Sequence, residues 1–259
     1  MSLPILNITA YRFVDLPDVQ ALRERLFASG REANLKGTVL LATEGINLSL
    51  AGPTAALREW LAELQDDPRF AELELKTSLS ATVPFKRLVV KVKPEIIRMN
   101  QPSIRPLAGR APAVDAITLA RWLDAGADDA GRPLLMLDTR NAFEVDAGRF
   151  QGAADWRLRR FSDFPQALAA HRAALEGKTV VSYCTGGIRC EKAALLMAQA
   201  GVSNVWQLEG GILRYLEATG GAHFDGNCFV FDEREMLDVT LASTPSTPAS
   251  QPRRHRSLA

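Results

Sequence analysis

One cysteine of this chain lies in a setting that favours chemistry. An apolar, β-rich segment at residues 179–183 leads into the sequence CTGGIRCE, which begins at Cys184. The cysteine therefore falls where a strand passes through a glycine-bearing loop into a helix. In such a loop the backbone N–H groups of residues 185–189 can surround the sulfur, and the helix N-terminus and Arg189 add positive charge. A thiolate is favoured in these surroundings, so the sequence predicts a nucleophile at Cys184.

The size of this loop points to a particular class of domain. Only four residues separate Cys184 from Arg189, fewer than in the phosphatases of the Cys-x5-Arg type, so the loop suits a single sulfur better than a phosphate. The segment resembles the rhodanese domain, whose catalytic cysteine carries a persulfide. Other landmarks follow in the order of a rhodanese domain, namely DTR at 138–140, Glu144, GRFQGA at 148–153 and VWQLEGGI at 205–212.

A longer stretch around the cysteine narrows the resemblance to one family. The string CTGGIRCEKA at 184–193 is similar to that of the tRNA uridine hydroxylases, which carry an extra N-terminal domain. Matching segments on either side are LATEGIN at 41–47, PFKR at 84–87, KVKPEI at 91–96 and FVFDER at 229–234. The resemblance covers roughly residues 9–234. It implies oxygen-dependent conversion of the wobble uridine of certain tRNAs to 5-hydroxyuridine, with Cys184 essential, molecular oxygen as co-substrate and tRNA as partner.

Two other functions fit the same loop. A rhodanese-type sulfurtransferase would move sulfane sulfur from a small donor to a thiol acceptor through a persulfide on Cys184. A module that carries a persulfide or senses redox state, with an N-terminal domain that docks a protein, needs no catalysis. Thiocyanate release from thiosulfate and cyanide, nucleoside analysis of tRNA, and salt-sensitive tRNA binding distinguish the three.

The roles of individual loop residues follow in part from position. The two glycines tolerate positive φ and permit a tight curl, and the predicted active-site loop comprises Thr185, Gly186, Gly187, Ile188 and Arg189. Arg189 is either a cation that faces an anionic substrate, which we favour, or a clamp that braces the loop. Cys190 is either a resolving thiol that forms a disulfide with an oxidised or persulfidated Cys184, or a packing residue, and spacing does not decide between them.

Hydrophobic periodicity predicts an α/β chain with two structured parts. Residues 1–93 show strand, helix, strand, strand, helix, strand, the order of a ferredoxin-like α+β domain. A linker on the surface is expected at 94–113, and a rhodanese-like domain with a parallel sheet at 114–221, where strands alternate with helices. We expect residues 222–240 to pack on this core as an extension and residues 241–259 to form a disordered tail.

Finer boundaries also follow from the pattern. The first helix is expected to end at Gly30, and the second is expected to begin after a cap at Thr54 and to stop before Pro68. The strands of the N-terminal domain are predicted at 8–13, 36–41, 46–50, 73–75 and 88–92. Cys184 should lie at the carboxyl end of its strand, where open α/β sheets bind ligands.

Composition limits the remaining functional classes. No leader or membrane-spanning run is visible, so the default location is the cytoplasm. Three cysteines, two of them in one loop, fit reduced thiols better than a disulfide framework, and Cys228 is expected only to pack. The three histidines are isolated from one another and from any Cys-x-x-Cys pair, so we predict no metal and identify no cofactor.

A net charge of +1 means that any tRNA-binding surface must be local. Two basic runs are the candidates for phosphate contact, although each could be an ordinary solvated surface. They comprise Lys86, Arg87, Lys91 and Lys93 in one run and Arg157, Arg159 and Arg160 in the other. A structural salt bridge is expected for Asp138 and Arg140, and turn-stabilising roles are expected for Glu44 and Asn47.

Overall fold

The computed structural model describes residues 5–243. Its strands are β1 (Ile5–Phe13), β2 (Lys36–Ala42), β3 (Gly45–Pro53), β4 (Lys76–Ser80), β5 (Leu88–Val92), β6 (Ala113–Val114), β7 (Leu134–Asp138), β8 (Gly148–Phe150), β9 (Ala154–Asp155), β10 (Thr179–Tyr183), β11 (Val205–Leu208), β12 (Phe224–Gly226), β13 (Cys228–Phe229) and β14 (Met236–Leu237). Its helices are α1 (Val19–Glu32), α2 (Thr54–Gln65), α3 (Ala116–Ala125), α4 (Ala142–Ala147), α5 (Phe164–His171), α6 (Ile188–Gln199) and α7 (Gly211–Thr219). No helix among these residues has the length and apolar character needed to cross a bilayer.

The N-terminal sheet has the order β4-β1-β3-β2-β5. Its first four strands pair antiparallel, as a ferredoxin-like fold requires, and β5 is added at the edge in parallel with β2. Alternation along β1 sends Leu6, Ile8 and Ala10 into the core with α1 and α2. The alternate residues of β1, including Thr9 and Tyr11, lie on the opposite face of the sheet, which carries no helix of this domain. The predicted ferredoxin-like domain is confirmed.

Several local boundaries differ from prediction. Helix α2 begins at Thr54 itself, with Pro53 at the N-cap position, and β1 begins at Ile5 rather than at residue 8. The fourth strand begins at Lys76, not at 73–75, because Leu73 and Leu75 pack into the core beside a turn in which the Leu73 N–H donates to the Phe70 carbonyl (3.0 Å). Helix α1 continues two residues past Gly30, which lies inside it. A Cβ at Gly30 would lie 3.0 Å from the Leu88 side chain, so this glycine allows close packing of the helix on β5.

The C-terminal sheet is parallel throughout, with the order β6-β11-β10-β7-β9. Strand β10 lies at its centre and every one of its residues is buried. Apolar clusters cover both faces of the sheet, as parallel sheets require. The predicted parallel α/β domain is confirmed, and Cys184 follows directly on the carboxyl end of β10.

The segments around this domain are packed against it. Met99 and Ile104, in the predicted surface linker, are buried in the core beside β10. In the predicted extension, β12 pairs with β8 and Cys228 is buried. Leu241, at the start of the predicted tail, packs on the apolar cluster that contains Cys228, and residues 244–259 of that tail lie outside the described residues. The domain boundaries themselves remain predictions.

A buried lysine joins the two domains. Lys192 on α6 is 2% exposed, and its Nζ donates to Glu44 at 2.8 Å and to Glu95 at 2.7 Å. Glu44 lies in the β2–β3 hairpin turn, and its Oε1 also accepts from the Ile96 N–H (2.8 Å). Lys192 therefore neutralises two carboxylates from the other half of the chain.

We predict that Lys192→Met lowers the free energy of unfolding by about 3 kcal/mol, because it leaves two carboxylates close together without their cation. Urea unfolding measures the change. Lys36→Met is the matched control, since Lys36 lies exposed at the start of β2. Equal stability of the two variants would contradict a structural role for the Lys192 ion pairs.

Candidate active site

The loop after β10 curls around the sulfur of Cys184. The Gly187 N–H donates to Cys184 Sγ at 3.1 Å, and α6 begins at the next residue, Ile188. Gly187 has a φ of 96°, a conformation that glycine adopts without strain. Of the five amides that the sequence predicted around the sulfur, those of Gly187 and Arg189 bond it.

The N-terminus of α7 holds the outer side of this loop. The N–H groups of Ile212 and Leu213 donate to the carbonyls of Cys184 (2.9 Å) and Thr185 (3.1 Å). Gly211 has a φ of 68°, and a Cβ there would lie 2.5 Å from the Cys184 carbonyl oxygen. Only glycine fits at this contact, which explains Gly211.

The loop stabilises a negative charge on the sulfur. Burial alone would raise the pKa of the Cys184 thiol, since charge is costly away from water. A hydrogen bond from the Cys190 thiol, the positive charge of Arg189 and two backbone amides outweigh burial and lower the pKa to about 5. Burial and the neighbouring Cys184 charge raise the pKa of Cys190 well above its ordinary value. Cys184 is thus the thiolate and Cys190 its protonated neighbour.

Arg189 acts as a clamp in this structure, although not on loop carbonyls. Its guanidinium is buried and forms a bidentate pair with Glu144, with distances of 2.6 and 2.7 Å. Glu144 also caps the start of α4 through the Asn141 N–H. Arg189 also lines the cavity, and its favoured role as a cation that faces an anionic substrate stays a prediction. The Arg189 charge still acts on the sulfur, because it lowers the pKa of Cys184.

A cavity of about 490 Å³ adjoins the loop, within the size range of small-molecule sites. One wall is formed by the active-site loop from Cys184 to Arg189, and another by the helix-free face of the N-terminal sheet. The sheet contributes mainly polar residues, among them Asn7, Thr9, Tyr11, Asn47, Ser49, Lys76 and Ser78. Cys184 itself is 0% exposed, so the wall must shift locally for a ligand to reach the sulfur.

Two residues of the N-terminal domain belong to the site although the sequence did not single them out. Tyr11 donates to Glu191 (3.1 Å) and lies close over Gly187, where a Cβ would come within 3.0 Å of its hydroxyl. Lys76 is half-buried on β4, and burial lowers its pKa. The alternation of polar residues along β1 and β4 signals a polar sheet face, but nothing local shows that this face meets the loop.

The structure also places the other residues of the predicted loop and the two remaining cysteines. Gly186 and Ile188 line the cavity, and Thr185 Oγ1 donates to the Phe229 carbonyl (3.4 Å). Cys190 is buried and reduced, and its sulfur lies 3.8 Å from Thr139 Oγ1. Cys228 is buried, with its pKa raised to about 12 by burial, as expected of a packing residue.

The residues to which the sequence assigns structural roles stabilise the segments around the site. Arg140 and Asp138 form a fully buried pair at 2.7 Å, the salt bridge that was expected. Arg140 also donates to the Gly148 carbonyl (2.6 Å). Glu44 and Asn47 bind the segment after β5 through Ile96 rather than stabilising their own turn.

The two basic runs differ in how much free charge they carry. Each of the candidates is exposed, namely Lys86, Arg87, Lys91, Lys93, Arg157, Arg159 and Arg160. Arg157 is neutralised by Asp146 and Asp155. Lys86 and Arg160 have looser ion pairs, each at 3.8 Å. Within residues 5–243 there is no group of three or more metal-ligating side chains arranged to hold an ion.

Fold and site together define a rhodanese-type domain fused to an N-terminal domain that covers its cysteine loop. The family models agree, because residues 5–96 match the "UPF0176 acylphosphatase like domain" and residues 119–218 match the "Rhodanese-like domain".

Whole-chain relatives define the family. A protein of Bordetella petrii is 63% identical over 92% of this chain and 94% of its own length. Relatives from Variovorax paradoxus (60% identical, 92% and 91% covered) and Delftia acidovorans (58%, 93% and 92%) are similar. All three bear the name tRNA uridine(34) hydroxylase. The chain belongs to this family.

We predict that alkylation of Cys184 by iodoacetamide, followed by peptide mass spectrometry, has its midpoint near pH 5, the pH to which the pKa is lowered. The reactive thiolate is lost as the pH falls through this value, whereas an ordinary thiol is mostly protonated below about pH 8.5.

Cys190→Ala should move the midpoint upward, because it removes the thiol hydrogen bond that stabilises the thiolate. Cys228 is the internal control, since its raised pKa should leave it unlabelled under the same conditions. A midpoint for Cys184 between pH 8 and 9 would show that the loop does not stabilise the anion.

Proposed function

We propose that this chain is a tRNA-modifying enzyme that hydroxylates the wobble uridine to 5-hydroxyuridine, with the Cys184 thiolate as nucleophile. The observation that carries the proposal is the position of Cys184 in the wall of a cavity that both domains line. Its sulfur accepts a hydrogen bond from the Gly187 N–H at 3.1 Å. The names of the relatives indicate the substrate and the reaction.

The thiolate is suited to attack on the pyrimidine ring. Addition of the Cys184 sulfur to C6 forms an S–C6 bond and places an electron pair on C5. The C5 carbon then takes an oxygen atom from a two-electron oxidant. Loss of the C5 proton and cleavage of the S–C6 bond restore the ring double bond and the thiolate. With molecular oxygen as oxidant, a reductant supplies two electrons, and the second oxygen atom leaves as water.

The polar wall opposite the loop fits a nucleotide. The helix-free sheet face offers hydroxyl, amide and ammonium groups, and Lys76 lies on it without a salt-bridge partner among residues 5–243. Such groups can hydrogen-bond the ring edges of an RNA base drawn into the cavity and the phosphates on either side of its nucleotide. We propose the cytoplasm as the compartment and tRNA as the partner. A small sulfur donor or thiol acceptor belongs only to the alternative function below.

We predict that Cys184→Ser abolishes 5-hydroxyuridine formation and leaves tRNA affinity within about twofold of the wild-type value, because serine lacks an accessible anion but keeps the surface. Mass spectrometry of tRNA nucleosides from a deletion strain, complemented with either form, measures the modification. Cys228→Ala is the control variant for loss of a buried thiol away from the loop. Persistence of the modified nucleoside in the Cys184→Ser strain would remove Cys184 from the mechanism.

The same loop would also stabilise the anion of a persulfide, so sulfur transfer is the alternative. It is measured by thiocyanate release from thiosulfate and cyanide. A chain that releases thiocyanate rapidly and whose deletion leaves tRNA nucleosides unchanged would contradict hydroxylation. Under the proposed function the nucleoside changes with deletion, whatever the thiocyanate rate.

A further inference from the structure

An exposed aromatic cluster lies beside the cysteine loop. Phe143, Phe229 and Phe231 contact one another edge to face, with ring centroids 5.1, 5.3 and 6.3 Å apart. Phe143 is 45% exposed and Phe231 is 62% exposed. Rings of this size are normally covered in a folded domain, so three grouped together at the surface indicate a binding site.

The cluster is continuous with the proposed active site. Phe231 lines the cavity that Cys184 also lines, and because it is exposed it lies at the opening of that cavity. Thr185 Oγ1 of the cysteine loop donates to the Phe229 carbonyl (3.4 Å). A ligand that lies on these rings therefore reaches into the cavity toward the loop.

Part of each basic run lies near the cluster. On one side, the Glu233 N–H donates to the Pro84 carbonyl (3.0 Å), which brings the Lys86 and Arg87 turn next to Phe231. On the other side, the Ala142 N–H, adjacent to Phe143, donates to the Leu158 carbonyl (2.7 Å) in the run that carries Arg159 and Arg160. Exposed cations from two separate segments thus lie near the apolar rings.

The geometry points to a stacking platform for an unpaired base of the tRNA anticodon loop, next to the base that enters the cavity. This inference rests on the proposed function. Unpaired bases stack on aromatic side chains while cations bind the flanking phosphates, the combination found here. The platform holds the neighbouring nucleotide of the loop, and the extruded uridine extends past Phe231 toward Cys184.

The test compares two replacements of one ring. Phe231→Leu keeps an apolar side chain but removes the aromatic face, whereas Phe231→Tyr keeps the face. Ile117→Ala is the matched control, since Ile117 on α3 is 63% exposed. Affinity for an anticodon stem-loop is measured by fluorescence anisotropy with wild-type RNA and with RNA carrying abasic sites on either side of the wobble uridine.

We expect Phe231→Leu to weaken stem-loop binding by at least about tenfold, the effect of losing one stacked base. Phe231→Tyr and Ile117→Ala should bind like the wild type. On the abasic RNA the difference between wild type and Phe231→Leu should disappear, because no base is left to stack. Equal affinities of wild type and Phe231→Leu for the intact stem-loop would overturn the platform.

Affinity is measured apart from hydroxylation, so the two proposals fail separately. A wild-type chain that binds the stem-loop through Phe231 but forms no 5-hydroxyuridine supports the platform and contradicts the proposed function. If the chain hydroxylates tRNA and Phe231→Leu binds the stem-loop as tightly as the wild type, only the platform is contradicted.

Discussion

The site depends on a negative sulfur held where no bulk water can solvate it. Burial opposes the charge on Cys184, and the surrounding groups must overcome that cost. Backbone amides do so without bringing counter-charges of their own, because they are fixed dipoles. Arg189 supplies a full positive charge, and Glu144 in turn holds Arg189 in place through two short hydrogen bonds. Through these contacts a buried arginine in the cavity wall stabilises the thiolate.

Several elements distant in sequence keep this arrangement rigid. Strand β10 carries the cysteine, α6 begins within the loop, and α7 donates two amides to the loop carbonyls. The N-terminal domain adds Tyr11 over Gly187, and the Lys192 ion pairs hold the two domains together. The rhodanese-type domain supplies the nucleophile, and the N-terminal domain supplies the opposite wall of the cavity. Neither domain forms the site by itself.

Local sequence pattern predicted what is local in the structure. The loop after β10, the ferredoxin-like order and the parallel sheet follow from apolar periodicity and glycine positions, and all are present. The strand start at Lys76 was missed because the leucines before it alternate like a strand while they close the core. The Arg189–Glu144 pair and the positions of Tyr11 and Lys76 come from packing between distant segments, which periodicity does not encode.

A chain with almost no net charge needs local contacts to bind RNA. With a net charge of +1 there is no general field to hold a polyanion, and Arg157 is already neutralised by two aspartates. Lys86, Arg87, Arg159 and Arg160 lie in segments that are hydrogen-bonded next to the aromatic cluster. Stacking does not weaken with salt as phosphate contacts do, so exposed rings can supply affinity that charge does not. The same rings lie at the cavity opening, where binding energy can offset the cost of unstacking the target base.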